Sequence, residues 1–553
     1  MRFFRGRKVK TLPPGLTYLG VFLLVAAIYG YLQMAPTFMD PDSFYHAKMA
    51  LLMKDGGVVK DFPWLPFTTL AHAYTDHHFL YHLLLIPFIT VFGTFVGTKV
   101  AAAVFGALAM TAFYAVLRAH GSRWPLAFTM LLATSSAFMF RMNLAKTSSL
   151  SIAVLMLALL AIKKEKPAVL FFLSWAYVWL YGGWPIMAVV VAVFLGTRAV
   201  IDRLLEKHPL HSWADLWFWR RLLRGRRAAV ADFFAASEVR HAFAAASGLL
   251  CGLVVNPYFP KNLSFYWEQI VQIALVGYKN TIGVGVEWYP YPPNALFSDS
   301  SAIFLAFAVC LTLLLVMVFW GDTVKRGSGT ASRAEITSQL ASFFLAALFF
   351  VLTMRSRRHI EYFAPFAVLS TALFFTMLVT RLDLRKLVER VRWLFPQPPH
   401  VSTAILTYLA FLFVFLGVRD VMGTKITNSG GLPWTKYVKA AGWLSENTPA
   451  GAIVFHSDWD DFPVLFLHDH RNRYIVGLDP TFMYREDPAR YWAWVDVTKG
   501  EWKAGMAEVV SGKFDSRYVF IENDHAAMRN AADKDPRLER VYQDDDARIY
   551  RVQ

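Results

Sequence analysis

The stretch SAIFLAFAVCLTLLLVMVFW, residues 301–320, contains no charged side chain and is long enough to cross the hydrocarbon core of a bilayer. Lipid accommodates such a run when the backbone closes its hydrogen bonds within a helix. The rest of the chain has the same character. Of its 553 residues, 56% are hydrophobic and only 17% are charged, and the mean hydropathy is +0.38. The sequence therefore predicts a polytopic α-helical membrane protein.

Ten further segments are apolar enough to act as spans beside this one. The whole set predicts about 11–13 transmembrane helices, with soft boundaries because several segments are short. The candidate spans are residues 16–35, 99–117, 125–141, 149–162, 168–183, 185–200, 241–257, 301–320, 338–354, 361–380 and 401–419.

The segment Phe79–Val96 is also apolar, but His82 and Pro87 interrupt it. If it crossed the membrane alone, the basic residues at 118–123 and 163–166 would face outward, against the positive-inside rule. We therefore predict a helix that lies in or dips into the outer face. With this assignment the N-terminus is cytoplasmic and the segment after residue 419 lies outside.

The net charge of +16 comes from basic clusters that each adjoin an apolar segment. This is the pattern of cytoplasmic loops, and no RNA- or DNA-binding motif accompanies it, so we expect no nucleic-acid partner. The long basic loop near residues 203–240 has two interpretations. It is either an amphipathic helix at the membrane surface or a plain solvated loop.

The tail, residues 420–553, changes character. Its apolar runs are short (Ala452–Phe455, Tyr474–Val476, Tyr518–Ile521) and are separated by polar stretches typical of helices. This alternation predicts a small α/β domain. We therefore divide the chain into a transmembrane domain, residues 1–419, and a soluble extracytoplasmic domain, residues 420–553.

The outer loops hold the unusual polar residues. Asp40 and Asp42 follow the first span; two such carboxylates could hold a divalent cation, act as general bases or cap a helix. Glu287, in a setting rich in glycine and aromatic residues, could be a ligand or a surface charge. Arg355 and Arg358 suit phosphate binding or membrane anchoring.

In the tail, Asp458, Trp459, Asp460 and Asp461 follow a predicted strand. These acids around a tryptophan suit a recognition or metal site, or the capped start of a helix.

In this order, the four places resemble the catalytic subunit family of oligosaccharyltransferases, which belongs to the GT-C class of lipid-carrier-dependent glycosyltransferases. Asp42, Tyr45, His46 and Lys48 match the family's DPxYHYR-type motif, with lysine in place of arginine. Glu287, with a proline three residues later, matches the glutamate of its fifth outer loop.

Two further stretches carry the resemblance. Arg355, Arg358, Ala364 and Pro365 are identical to residues of the family's RMVRLMLVLAP segment. The stretch WLSENTPAGAIVFHSDWDDF (residues 443–462) resembles the start of its acceptor-binding domain, with Trp459 and Asp460 matching the WD pair of the family's WWDYG motif.

The resemblance implies an inverting GT-C glycosyltransferase that moves a glycan from a polyprenyl (pyro)phosphate carrier to an acceptor. It implies a divalent cation, Mg²⁺ or Mn²⁺, held by Asp42 and Glu287, with Asp40, Asp42 or Glu287 as general base. The residues implied in substrate binding are Arg355, Arg358, His46, Lys48, Lys146, Asp458, Trp459, Asp460 and Asp461.

The sequence departs from the family in two places. The second outer loop, residues 141–149, lacks the acid that the family has near the metal, and its Lys146 is either a replacement for the metal's charge or simply a loop lysine. The motif WWDYG has become Asp458–Phe462. In the family this motif holds the hydroxyl residue of the protein acceptor, so the departure indicates a changed acceptor.

Three hypotheses follow. The first is transfer to a protein acceptor, and the second is transfer to a lipid or a polysaccharide by the same fold. The third is a transporter or flippase of lipid-linked sugars, although such proteins usually show repeated halves and acids within spans, which this sequence lacks. The partners expected are the polyprenyl-linked donor, membrane lipid and the acceptor. The location expected is the inner (plasma) membrane, with the tail periplasmic or extracellular.

Overall fold

The computed structural model describes residues 13–207, 237–320, 333–381, 399–502 and 505–553. The two interpretations of the 203–240 loop fall mostly outside these ranges. Between residues 13 and 207 the described helices are α1 (Pro14–Gln33), α2 (Asp42–Gly56), α3 (Leu70–Ala73), α4 (Phe79–Phe92), α5 (Thr94–Ala119), α6 (Pro125–Ala133), α7 (Ser136–Asn143), α8 (Ser148–Lys163), α9 (Pro167–Leu180) and α10 (Pro185–Lys207).

The next described part of the chain is helical as well. Its elements are Ser237–Val254, Lys261–Tyr266, a π-helix at Trp267–Val276, a 3₁₀ turn at Val286–Trp288, Pro293–Asp299, Ser301–Trp320, Arg333–Thr353, a 3₁₀ turn at Arg357–His359, Ile360–Arg381 and Pro399–Ser429.

Apolar helices coincide with most of the candidate spans, as expected for a multi-pass membrane protein. By length and hydropathy, four of the described helices could cross a bilayer: Gly15–Gln33, Thr94–Ala119, Ala334–Thr353 and Arg357–Thr380. The bent pair α6–α7 makes a fifth if it counts as one span. Other described apolar helices are shorter, including α4, α8 and α9. The prediction of eleven or more spans is not confirmed by this test and stays a prediction.

The segment 125–141, expected as one straight span, is instead two helices. α6 ends at Ala133 and α7 begins at Ser136, and their axes differ by 74°. Thr134 and Ser135 occupy the break; the hydroxyl of Thr134 donates to the carbonyl oxygen of Met130 at 2.8 Å, a contact that often bends a helix. The bend brings Arg141, near the end of α7, to the cluster of loops described below.

The segment Phe79–Val96, expected as one helix, is also interrupted before its predicted end. α4 ends at Phe92, and Gly93 adopts φ +76°, a conformation that glycine reaches without strain. α5 then begins at Thr94 and packs back on α4. A Cβ atom at Gly97 would lie 2.4 Å from the carbonyl oxygen of Phe88, so only glycine permits this contact. Whether α4 crosses the membrane stays a prediction.

The tail forms the predicted α/β unit. Its five-stranded sheet has the order β4–β3–β5–β7–β6. β3 lies parallel to β4 and β5, while β7 lies antiparallel to β5 and β6. The strands are β3 (Ile453–His456), β4 (Arg473–Tyr474), β5 (Tyr518–Glu522), β6 (Leu538–Gln543) and β7 (Ala547–Val552), and the helices are Val438–Asn447, Asp461–His468, Pro480–Glu486, Pro488–Thr498, Met506–Phe514 and Ala526–Lys534.

The helix Pro399–Ser429 runs across the boundary placed between residues 419 and 420. The chain therefore leaves the helical part later than the composition indicated. The division into two functional domains stays a prediction.

The first loop and the tail are joined directly. β1 (Thr37–Phe38) pairs antiparallel with β2 (Leu432–Pro433). The backbone N–H of Tyr474 donates to the carbonyl oxygen of Trp64 at 2.8 Å, and the indole of Trp64 donates to the carbonyl oxygen of His470 at 2.7 Å. These contacts hold the segment after α1 and the segment after α2 against the domain that carries Asp458–Asp461.

Candidate functional site

The carboxylates of Asp40 and Asp42 both pair with the ammonium group of Lys146. Lys146, in the turn between α7 and α8, places Nζ 2.7 Å from Oδ2 of Asp40 and 2.7 Å from Oδ2 of Asp42. The backbone N–H of Asp42 also donates to Oδ1 of Asp40 at 2.9 Å. The side chains of Asp40, Asp42 and Lys146 are 22%, 32% and 14% exposed. The triad is therefore open to a ligand from one side.

Lys146 is the positively charged member of the triad that it forms with Asp40 and Asp42. Burial alone would lower the pKa of Lys146, but the carboxylates of Asp40, Asp42 and Glu287 outweigh it and raise the pKa above the ordinary value. Burial raises the pKa of Asp40 despite the opposing effect of Lys146. Lys146 is therefore an ammonium ion at neutral pH, next to carboxylates that it neutralises only in part.

A second ionic cluster surrounds Glu287. Arg141 donates from Nη1 to Oε2 of Glu287 at 2.8 Å and from Nε and Nη2 to Oε2 of Glu361 at 3.0 and 2.9 Å. Arg358 donates from Nη1 to Oε1 of Glu287 at 3.2 Å. Burial would raise the pKa of Glu287, but Arg358, Arg141 and Lys146 outweigh it and hold the pKa well below its ordinary range. Glu287 is therefore a carboxylate clamped between two guanidinium groups.

Aromatic side chains fix the position of Arg358. Its guanidinium lies over the rings of Trp288 and Tyr181, 5.3 and 5.8 Å from their centroids. Nη2 donates to the hydroxyl of Tyr181 at 3.2 Å, and Tyr362 donates to the same hydroxyl at 3.0 Å. A planar guanidinium that is stacked and partly exposed (27%) suits the oxygens of a phosphate.

The predicted tail residues separate into different roles. Asp461 is buried and accepts from the hydroxyls of Ser457 and Tyr437 at 2.8 and 2.9 Å, so it organises the loop. Asp458 accepts from the N–H of Asp460 at 3.2 Å.

The side chains of Asp460 and Trp459 face the outer loops. A Cβ atom at Gly285 would lie 3.8 Å from Cη2 of Trp459, which places this indole beside the loop of Glu287. Burial, with the negative charges of Asp42, Asp458 and Asp40, raises the pKa of Asp460 to about 8. Asp460 therefore belongs to the acidic side of the site.

The raised pKa of Asp460 has a measurable consequence. A carboxyl that binds its proton more tightly in the folded state stabilises the fold at low pH, and the benefit is lost as pH rises to about 8. We expect the unfolding temperature of the wild type to fall between pH 5 and pH 8.5, and that of Asp460→Asn to fall less. Tryptophan fluorescence in detergent measures both, with the exposed Asp61→Asn as the control. Equal slopes in all three proteins would contradict the assignment.

Three predicted substrate-binding residues are not members of the two ionic clusters. Lys48 is buried; its ammonium donates to the carbonyl oxygen of Leu467 at 3.0 Å and approaches Nδ1 of His470 at 3.1 Å, so it fastens α2 to the tail. Arg355 is exposed, outside the ionic clusters. His46 is buried behind the triad, on α2.

Sequence reasoning did not select Arg141, Glu361 or Asp479. Arg141 and Glu361 had a signal, because charged side chains next to apolar helices usually mark a functional site. Asp479 had none: it accepts from the N–H of Thr481 at 2.8 Å, as a helix cap does. Burial raises the pKa of Asp479 to about 6, and the charges of Asp42 and Glu287 add to this effect.

The side chains present do not fit a resident divalent cation. Asp42 and Glu287, the predicted ligands, are engaged by Lys146 and by two arginines respectively. Within the part of the chain that the structure describes, no three His, Cys, Asp or Glu side chains are grouped closely enough to hold an ion. The ammonium of Lys146 lies between Asp42 and Asp40, the other carboxylate of the first outer loop.

No family model matches the sequence, and no curated protein matches it. Solved structures do match the fold. Archaeal oligosaccharyltransferase AglB from Archaeoglobus fulgidus, in complex with an inhibitory peptide and a dolichol-phosphate, has a TM-score of 0.59 at 15% identity, over 92% of this chain and 69% of that chain.

Two other glycosyltransferases give similar results. ArnT from Cupriavidus metallidurans, bound to undecaprenyl phosphate, has a TM-score of 0.50 at 14% identity, over 97% of this chain and 98% of that chain. Arabinofuranosyltransferase AftD from Mycobacteria has a TM-score of 0.52 at 12% identity, over 98% of this chain and 42% of that chain. At these identities the likeness establishes the fold, and the fold is that of the membrane-bound GT-C glycosyltransferases.

Proposed function

We propose that this chain is an inverting glycosyltransferase that moves a glycan from a polyprenyl phosphate or pyrophosphate carrier to an acceptor. The observation that carries the proposal is the meeting of five distant segments in one half-exposed site. These segments supply Asp42, Lys146, Glu287 with Arg358, and Asp460. Solved proteins with this fold hold dolichol-phosphate or undecaprenyl phosphate, which supports a carrier of the same kind.

The cations have a direct use in this reaction. Transfer breaks the bond between C1 of the sugar and the carrier phosphate, so negative charge grows on the departing phosphate oxygen. Fixed cations near that oxygen lower the barrier without any reorganisation during the step. Arg358 and Lys146 are the two partly exposed cations of the site, and we assign them this role. Because the donor set does not fit a metal, we route no step through one.

The acceptor is proposed to approach from the tail. Asp460 and Trp459 face the catalytic loops, whereas Asp461 is used within the tail, where it organises the local backbone. A peptide acceptor is the first candidate, since an inhibitory peptide is bound by the archaeal protein of the same fold. A lipid or polysaccharide acceptor is the second, because the loop Asp458–Phe462 departs from the WWDYG motif.

The orientation follows from the charge pattern. We propose that the site and the tail lie on the outer side of the inner (plasma) membrane, with the N-terminus in the cytoplasm.

The flippase hypothesis predicts that the donor is not cleaved, and the experiment described next distinguishes a flippase from a glycosyltransferase.

The experiment uses the purified protein in liposomes that contain a radiolabelled pool of lipid-linked sugars. Membrane proteins, lipids and soluble polysaccharide are supplied as acceptors, and the labelled product is fractionated into these three classes. We expect label to leave the carrier and to appear in one class. Label that changes leaflet while it stays on the carrier would instead identify a flippase.

A further inference from the structure

Behind the triad, three buried side chains form a hydrogen-bonded row. Nδ1 of His46 lies 2.8 Å from Nε2 of His82, and Nδ1 of His82 lies 2.7 Å from Oδ2 of Asp76. His46, His82 and Asp76 are 3%, 0% and 3% exposed. His46 belongs to α2, His82 to α4, and Asp76 to the loop before α4. We call this set the Asp–His–His row.

The carboxylate sets the protonation of both rings. An ionised carboxylate only accepts hydrogen bonds, so Nδ1 of His82 must carry a proton. Nε2 of that neutral ring is then an acceptor, which requires a proton on Nδ1 of His46. The described hydrogen bond of His46 uses Nδ1 alone. Nε2 of His46 therefore keeps a free lone pair and is a base.

His46 shares a helix with Asp42, a residue of the proposed transfer site. Asp42 and His46 are four residues apart on α2, so their side chains lie on the same face of that helix. Burial lowers the pKa of His46, and the positive charge of Lys146 lowers it further. His46 is therefore neutral, and so able to accept a proton, at pH 7.

We propose that His46 is the general base of the transfer, and that His82 and Asp76 are positioning residues that hold its tautomer. This inference rests on the proposed function. The acceptor's oxygen or nitrogen forms the bond to C1 while the bond from C1 to the carrier oxygen breaks. The electron pair of that bond stays on the phosphate. The acceptor's proton moves to Nε2 of His46, and the new positive charge is shared with His82 beside the Asp76 carboxylate.

The carboxylates of the triad are less suited to this role. Asp40 and Asp42 both accept from Lys146 at 2.7 Å, so each already has an oxygen engaged by an ammonium, whereas Nε2 of His46 has no such partner. The buried imidazole makes no ion pair with Lys146. The other titratable groups around the row are Tyr45, Tyr74, His77, His78, Tyr81, Tyr258 and Tyr266.

The first test is the pH profile of transfer for the wild type, His46→Gly, Asp76→Asn and His82→Gln. We expect His46→Gly to lose about 10²–10⁴-fold in rate, to recover partly in free imidazole, and to gain rate as pH rises. Asp76→Asn and His82→Gln should lose less and shift the acidic limb of the profile. The matched control is His120→Gln, a histidine at the end of α5 that bonds the carbonyl oxygen of Val116. If His46→Gly keeps the wild-type rate and profile, the proposal is wrong.

A second test does not depend on activity. Magic-angle-spinning NMR of ¹⁵N-histidine-labelled protein in lipid reports which ring nitrogen carries the proton. The signal that His46→Gly removes should be a neutral ring protonated at Nδ1, and Asp76→Asn should alter that signal. A ring protonated at Nε2 would overturn the row. A wild type that transfers no sugar from any donor, with the Nδ1–H ring present, would refute the proposed function while leaving the row intact.

Discussion

Replacing Arg358 with alanine is expected to lower the rate of glycan transfer by about 10²–10³-fold, the usual effect of removing a group that stabilises charge in the transition state. The guanidinium is held by Glu287 at 3.2 Å and by the rings of Trp288 and Tyr181, so it is oriented before the donor arrives. Arg358→Lys should recover only part of the rate, because an ammonium cannot bind two phosphate oxygens in one plane. Initial rates from a defined lipid-linked donor measure both variants.

The matched control for this prediction is Arg357→Ala, which removes the adjacent guanidinium. Arg357 donates to the carbonyl oxygen of Pro290 at 3.2 Å and lies over the ring of Tyr291, away from Glu287. We expect its rate to stay within a few-fold of the wild type. An equal loss in Arg357→Ala and Arg358→Ala would mean that both substitutions act by disturbing the loop.

Replacing Lys146 with methionine is expected to lower the transfer rate by about 10²-fold or more. The substitution keeps most of the side-chain volume and removes the ammonium that lies 2.7 Å from both Asp40 and Asp42. Two carboxylates then remain close together without a counter-charge, and one of them must take up a proton. The exposed Lys164→Met at the end of α8 is the control, and its rate should be unchanged.

Chelation distinguishes a lysine-based site from a metal-based one. We expect the wild type to keep its activity in excess EDTA, because Lys146 already engages the carboxylates that would bind a cation. Lys146→Ala, which opens a space between them, should regain some activity when Mn²⁺ is added. Loss of wild-type activity in EDTA, with recovery in Mg²⁺ or Mn²⁺, would contradict the role assigned to Lys146.

Much of the fold could be predicted from local sequence, because its signals are local. A long segment without charged residues predicts an apolar helix, and the short strands β3, β4 and β5 coincide with apolar runs of the tail. The strands β6 and β7 were not predicted; their solvent-facing residues are charged, and a half-exposed pair at one side of a sheet leaves a weak pattern. The break between α6 and α7 was also missed, because Thr134 and Ser135 are tolerated inside many helices.

The candidate site residues stay a prediction, and the contacts that they make could not be predicted from the sequence. The resemblance selected Asp42, Glu287 and Asp460. In the structure, the loops that carry these three residues lie on the same side of the helical part. It does not follow from spacing along the chain that Lys146 would pair with two acids, or that Arg141 would reach Glu287 from a bent helix. Such contacts depend on the packing of helices that are distant in sequence. The predicted metal depended on one of these partnerships, which is why that prediction does not fit the structure.

The measurement that tests the central claim most directly is cleavage of the donor. Purified protein in liposomes is given a lipid carrier labelled in the sugar, and release of free polyprenyl phosphate or pyrophosphate is followed for the wild type, Arg358→Ala and Asp42→Ala. We predict release by the wild type in the presence of acceptor, and little from either variant. An intact donor in all three samples, from a pool that a known glycosyltransferase of the same fold consumes, would contradict the proposed activity.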